Sequence, residues 1–240
     1  MFWRRIREYC KFLKSLMLTN GRLLRGMWKL TKLPQPTITV FGGSRISQDS
    51  IYSQQARRLA RMLASSGFSI ITGGGSGIME AANFGAVEAT KKNKGGVRPP
   101  LTSMGIGLLW FREARESINP YVQDQIIMYH FFSRKWLLVR YAVGFVVFPG
   151  GFGTMDELFE VITLIQCNRM PPYPIVLMDK NYWQPILDWI YNKALKEKLI
   201  SKDDLKIITV ADNEEEAFKI ITSEYKKQKG HQLLYASGRD

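Results

Sequence analysis

The sequence predicts an α/β fold, a Rossmann-like doubly wound parallel sheet with an N-terminal helical extension. Two observations carry this. Short apolar, β-branched runs alternate along the chain with segments of helical periodicity, the pattern of a parallel sheet covered on both faces. Three glycine-rich loops, Gly42-Gly43-Ser44, Gly73 to Gly77 and Pro149 to Gly153, each follow such a run. They therefore sit at the carboxyl ends of strands, where ligands bind in sheets of this kind.

The first strand is Thr37 to Phe41, and the helix after it is capped by Asp49 or Ser50, buries Ile51, Leu59 and Leu63, and ends at Gly67. Phe68 to Thr72 is the second strand and Ile78 to about Lys91 the next helix. Lys91 to Pro100 reads as an exposed loop. Ser103 to Leu109 is a third strand, Trp110 to Pro120 a loop, Val122 to Tyr129 a fourth strand and Phe131 to Tyr141 a helix. Gly144 to Phe148 is a strand running into a helix that carries Leu158, Val161, Ile162 and Ile165 on one face. Pro174 to Met178, Trp183 to Leu195, Ile207 to Val210 and Glu214 to Lys227 complete the alternation. The expected organisation is an extension over 1–36, a nucleotide-binding domain over 37–225 and a flexible tail over 226–240.

The chain has 240 residues, 45% of them hydrophobic and 23% charged, the composition of an ordinary soluble globular protein with one large core. Cys10 and Cys167 lack metal-ligand or CxxC spacing, so both are expected to be reduced thiols in a cytoplasmic protein. No apolar run approaches the roughly 20 residues needed to span a bilayer. The net charge is +13, and residues 1–33 hold nine basic residues against Glu8 alone, a net +8. The body carries only the remaining +5, which points it to a small anionic ligand and gives no expectation of nucleic acid.

Within the extension, Phe2, Ile6, Tyr9, Leu13 and Leu16 share one helical face, and Arg22 to Lys32 forms a second short helix ending before Pro34. The first helix is expected to pack on the domain or across a subunit interface; lying on an anionic membrane surface is the functional alternative.

Around the glycine loops the chemistry narrows. Neither Gly73-x-Gly75 nor Gly75-x-Gly77 continues to the third glycine of a dinucleotide fingerprint, since Ile78 and Glu80 stand there. Gly150 to Thr154 is followed by no Gly-Lys-Ser/Thr, so it is not a triphosphate loop. His130 and His231 form no triad or metal cluster, and His130 reads as a packed residue. The candidates left are Glu157, Asp156, Glu160 and Arg134. Thr154-Met-Asp-Glu157 also matches a capping box, and from spacing alone the cap ranks above catalysis for Glu157.

These motifs resemble the LOG (Lonely Guy) family, cytokinin riboside 5′-monophosphate phosphoribohydrolase-like proteins formerly labelled lysine decarboxylase-like. Pro-Gly-Gly-x-Gly-Thr-x-x-Glu is met from Pro149 to Glu157, the glycine-rich partner loop by Gly73 to Gly77, and an Arg-Lys pair by Arg134 and Lys135. The resemblance spans about Phe2 to Trp189, and Asn119 to Trp183 is similar to the longer bacterial branch. Shorter members have glycine near Glu80 and glutamate at Asp156. The resemblance implies hydrolysis of the N-glycosidic bond of a nucleoside 5′-monophosphate, of AMP or cytokinin type, without cofactor or metal. It implies catalysis by Arg134 and Glu157. It implies a nucleotide site made of Gly42, Ser44, Gly73, Gly74, Gly75, Gly77, Met79, Lys135, Gly150, Gly151, Gly153 and Thr154. Base preference falls to Met79 and the loop around Trp110. A homodimer is implied by the resemblance alone. The alternative is a non-catalytic nucleotide or nucleotide-cofactor carrier or sensor.

Overall fold

In the computed structural model, which describes residues 1–34, 36–91, 100–109 and 118–237, the sheet has seven parallel strands. They are β1 (Thr37–Phe41), β2 (Ser69–Thr72), β3 (Ser103–Leu108), β4 (Asp124–Met128), β5 (Ala142–Val147), β6 (Ile175–Met178) and β7 (Ile208–Ala211), in spatial order β4-β3-β2-β1-β5-β6-β7. The expected loops over 91–100 and 110–120 lie largely outside the described residues, as does Trp110.

The helices are α1 (Phe2–Leu30), α2 (Ile51–Ser65), α3 (Ile78–Lys91), α4 (Phe131–Arg140), α5 (Phe152–Gln166), α6 (Lys180–Trp189) and α7 (Glu214–Ser237). Successive side chains of a strand point to opposite faces, and the core divides accordingly. Ile38, Val40, Ile70, Val146 and Val176 pack on one face with Leu59, Leu63, Ile78 and Ile221 from α2, α3 and α7. Phe41, Ile71, Phe145, Val147 and Leu177 pack on the other with Leu30, Leu137, Leu158 and Trp183 from α1, α4, α5 and α6. Strand runs such as Ile-Val-Leu-Met are apolar throughout because both faces are covered.

Chain order reverses between β1 and β5. From β1 the sheet grows one way through β2, β3 and β4, and the other way through β5, β6 and β7. The connections leave in opposite directions there, opening a crevice above the strand ends. All three glycine loops cap β2, β1 and β5, which are consecutive in the sheet.

Four element boundaries differ from the sequence reading. The N-terminal segment is one helix instead of two. Gly21 costs about 1 kcal/mol in a helix interior, but docking of the second half holds the helix across it. That half is part of the core, not an appendage: Leu30 is fully buried, and Gly26 sits against Leu137 and Ile126. α6 starts at Lys180, before Trp183, because the Asp179 side chain accepts from Asn181 N–H. Its end runs into a π-helical stretch, Ile190–Leu195. α7 continues past Lys227 to Ser237. The fourth, at α5, bears on chemistry and is taken up with the site.

β4 is an edge strand, and an exposed edge invites unwanted pairing. Here α1 covers it. Arg22 donates to the Ile127 carbonyl (2.8 Å) and to Tyr129 Oη (2.9 Å), and Lys29 donates to Asp124 Oδ1 (2.6 Å) and the Gln125 carbonyl (2.8 Å). Arg22→Ala is expected to lower the unfolding free energy by about 1.5 kcal/mol, the scale of a charged hydrogen bond. Chemical denaturation measures this, and an unchanged midpoint would show that α1 does not secure the edge.

Candidate functional site

The loops touch one another before any ligand is considered. Gly43 N–H donates to the Pro149 carbonyl (2.9 Å), and Ile78 N–H donates to the Gly43 carbonyl (3.2 Å). The Ser76 hydroxyl donates to the Ser44 carbonyl (2.8 Å), leaving Ser44 exposed at the rim. Gly77 lies at φ +64°, and a Cβ there would collide with the backbone of Gly43 and Ser44. Glycine is thus required at Gly77 by conformation and by the close approach of two backbones.

The glycines fall into two groups. At Gly42 a Cβ would overlap Ile78, and at Gly150 it would overlap Thr154, so these are packing glycines. Gly151 and Gly153 face open space and are exposed. They begin α5, whose first backbone bond is Met155 N–H to the Gly151 carbonyl (3.1 Å). The amides of that first turn have no acceptor inside the helix, and together with the helix dipole such a terminus is open to an anion. Tyr182 braces the loop from α6, donating to the Gly150 carbonyl (2.5 Å) and accepting from Gly150 N–H (3.3 Å).

The capping-box expectation for Thr154 and Glu157 fails. The N-cap of α5 is Gly151, in extended backbone and with no side chain to cap with. The helix therefore starts at Phe152, three residues earlier than a Thr154 cap requires. Thr154 is buried against Gly150, and Glu157 lies well inside the helix, beyond reach of the cap. The motif misleads because a glycine turn can begin a helix without a side-chain cap, its exposed amides remaining open to solvent or an anion.

Glu157 is instead paired with Arg134, Nη1 to Oε1 at 3.2 Å, and the two side chains are only 11% and 13% exposed. Arg134 Nε also donates to the Ile106 carbonyl of β3 (2.8 Å). Its guanidinium lies over Gly73, where any Cβ would overlap it, with Met79 Sδ beside the same position. The candidate catalytic residues therefore meet at the ends of β2 and β5, bringing Met79 with them. Burial pushes the Glu157 carboxyl up to about 7; the Arg134 charge opposes this, and the neighbouring Asp156 adds to it.

Lys135 has a different neighbourhood from Arg134. It pairs with Asp156 (3.1 Å) and Glu160 (2.8 Å) on α5. Burial works against its charge, but these hydrogen bonds outweigh the cost and hold its pKa above the usual lysine value. Lys135 thus ties α4 to α5 beside the site.

A buried polar network, which the sequence reading missed, shapes the Gly73 to Gly77 loop. Asn119 Nδ2 donates to the carbonyls of Gly74 (3.1 Å) and Gly75 (2.9 Å) and to Asn83 Oδ1 (3.0 Å). Asn83 also accepts from Thr72 Oγ1 (2.7 Å) and donates to Ser103 Oγ (2.8 Å), and Thr72 Oγ1 accepts from Gly74 N–H (3.0 Å). Asn83 and Asn119 are buried. For Asn83 the available signal was a polar side chain inside an otherwise apolar helix face, because burying an amide is costly unless it is fully bonded, while Asn119 lies in a stretch that reads as a loop and gave none. His130 matches its packed reading: Nε2 lies 3.2 Å from Ser15 Oγ, and the ring stacks on Phe132.

With this geometry, the chain matches over residues 79–221 the model of a family described as "Possible lysine decarboxylase". It belongs to that family, the LOG family. It is 30% identical over 176 residues to the cytokinin riboside 5′-monophosphate phosphoribohydrolase LOG of Oryza sativa subsp. japonica, covering 72% of this chain and 67% of that one. It is 27% identical to a bifunctional cytokinin biosynthesis protein of Fusarium pseudograminearum, covering 78% of this chain and spanning only 40% of that longer protein. Among solved structures, TM1055 superposes with a TM-score of 0.56 at 25% identity, covering 79% of this chain and 99% of its own. A molybdenum cofactor binding protein from Rippkaea orientalis shares the fold with a TM-score of 0.55 at 22% identity, covering 80% of this chain and 98% of its own.

The raised Glu157 pKa fixes the sign of a stability effect. Below pH 4.5 the carboxyl is protonated whether the chain is folded or not; between 4.5 and about 7 the folded state keeps a proton that the unfolded state has lost. Stability therefore falls as pH rises through that window. The loss is on the order of 3 kcal/mol at 1.36 kcal/mol per unit. Glu157→Gln should remove this dependence, so that the variant gains on the wild type in thermal denaturation between pH 5 and pH 8. Parallel pH profiles would show that Glu157 does not titrate in this range.

Proposed function

We propose that this protein is a nucleoside 5′-monophosphate phosphoribohydrolase, releasing a free base and ribose 5-phosphate from an AMP-type or cytokinin-type nucleotide. The observation that carries the reading is the buried Arg134–Glu157 pair beside a bare helix N-terminus. The naming of the rice relative supports it.

The phosphate binds the first-turn amides of α5, where Gly151 and Gly153 leave room for its oxygens. Gly150 and Thr154 hold the turn in shape, and Gly42, Ser44 and the Gly73 to Gly77 loop form the remaining walls. Glu157 lies five residues beyond Phe152, roughly 7.5 Å along the axis at 1.5 Å per residue. Cleavage breaks the bond from C1′ to the base nitrogen, and the base leaves with the electron pair while positive charge builds on the sugar. The ionised Glu157 stabilises that charge, aligns the water whose oxygen bonds to C1′ and takes up its proton, while the departing base is protonated from solvent. Arg134 orients Glu157 and favours its ionised form. Met79, against Gly73, faces the base.

Incubation with AMP, GMP, CMP and UMP, followed by assay for free base and ribose 5-phosphate, tests the reading. Release from at least one is expected; binding without release from any would replace the hydrolase with a nucleotide carrier or sensor. Glu157→Gln should bind the same nucleotide yet lose turnover by about a hundredfold or more, the lower range for a positioned acid–base group. Turnover should also rise with pH through about 7, as Glu157 ionises. A flat profile would remove Glu157 from the chemistry.

A further inference from the structure

α1 docks through one face and leaves the opposite face bare. Its docked face carries Ser15 against His130, the buried Thr19, Arg22 on the Ile127 carbonyl, Gly26 against Leu137, and the buried Leu30. At 3.6 residues per turn, Phe2, Ile6, Tyr9, Leu13, Met17 and Trp28 fall on the far arc. All six are exposed, with Phe2 at 68%, Met17 at 75% and Trp28 at 66%. A helix that packs on its own domain normally buries its apolar stripe and shows its polar one to water. The second half of α1 follows this rule through Leu23, Met27 and Leu30, but over residues 2–17 the apolar stripe stays exposed.

The charges flanking the arc decide what covers it. Arg5 borders the arc on one side and Arg7 and Lys14 on the other, all exposed, and the one nearby acid, Glu8, is already bonded to Lys11 at 2.9 Å. Pairing α1 with the same helix of a second copy would bring two segments of net +8 together. A surface of lipid phosphates offers the opposite charge along with an apolar layer beneath it. Long basic side chains can reach the phosphates while their stems stay beside inserted aromatic residues.

We propose that the exposed face of α1 lies in the headgroup region of an anionic bilayer, with Phe2, Ile6, Tyr9, Leu13, Met17 and Trp28 inserted and the flanking basic residues on lipid phosphates. The helix lies along the surface and does not cross it; among the described residues no helix is long and apolar enough to span a membrane. The proposal is independent of the reaction at the strand ends.

The test is sedimentation of the full chain with vesicles of equimolar phosphatidylglycerol and phosphatidylcholine, and with phosphatidylcholine alone. Binding is expected only with the anionic vesicles, and it should weaken by about tenfold or more as salt is raised from low to physiological strength, because the basic contacts are exposed. The triple variant Phe2→Ser, Ile6→Ser, Leu13→Ser changes no docked residue. It should keep its fold by circular dichroism and lose vesicle binding by about tenfold or more, since each buried methylene contributes roughly 0.8 kcal/mol. No binding to anionic vesicles overturns the proposal, and so does equal binding to both compositions. Retained binding by the folded triple variant also overturns it. A drop in oligomer mass on the same substitutions, with no vesicle binding by the wild type, assigns the face to a second copy.

Discussion

The site depends on where the Arg134 guanidinium is seated. It lies over Gly73, donates to the Ile106 carbonyl and meets Glu157, so a single side chain from α4 joins the loop after β2, strand β3 and the second turn of α5. A side chain at position 73 would displace the guanidinium, and without the guanidinium Glu157 would be a buried carboxyl with little to offset its desolvation. Burying both partners costs free energy that no surface pair would, and breaking such a pair is more damaging than never having built it. The result is a carboxyl whose pKa is raised to about 7 beside the bare N-terminus of α5.

The surroundings make that placement rigid. The Asn83 and Asn119 network fixes the Gly73 to Gly77 loop, and Tyr182 fixes the Gly150 turn. Lys135 clamps α4 to α5 through Asp156 and Glu160. Each is a polar contact between elements far apart in sequence, and each orients backbone or side chain without itself lying at the proposed reacting atoms. These contacts hold the loops and helices together at the crevice where the strand order reverses.

α1 joins this body differently along its length. Its second half covers the open edge of β4 and contributes Leu30 to the core, so removing it would expose both. Its first half contributes almost nothing to the core, yet carries aromatic and basic residues at helical spacing. Conservation of the fold alone would not call for that pattern, since charged and small polar residues would serve a solvated helix better.

The sequence by itself determined the sheet, because fully buried parallel strands leave unbroken apolar runs such as Ile175–Met178, and helices between them leave a 3.6-residue period. It placed the glycine loops at strand ends, and it singled out Arg134 and Glu157 through family motifs. Local pattern could not decide the beginning of α5, since Thr154 to Glu157 satisfies the capping rule as written. Only the tertiary structure showed that Gly151 starts the helix and that Glu157 is held by Arg134, twenty-three residues away in the chain. The joining of α1 into one helix was likewise decided by docking at Gly26 and Leu30, and the Asn83–Asn119 network by long-range burial. Periodicity reports which residues want to be buried; which partners meet them depends on the order of strands in space, and no window of neighbouring residues contains that order.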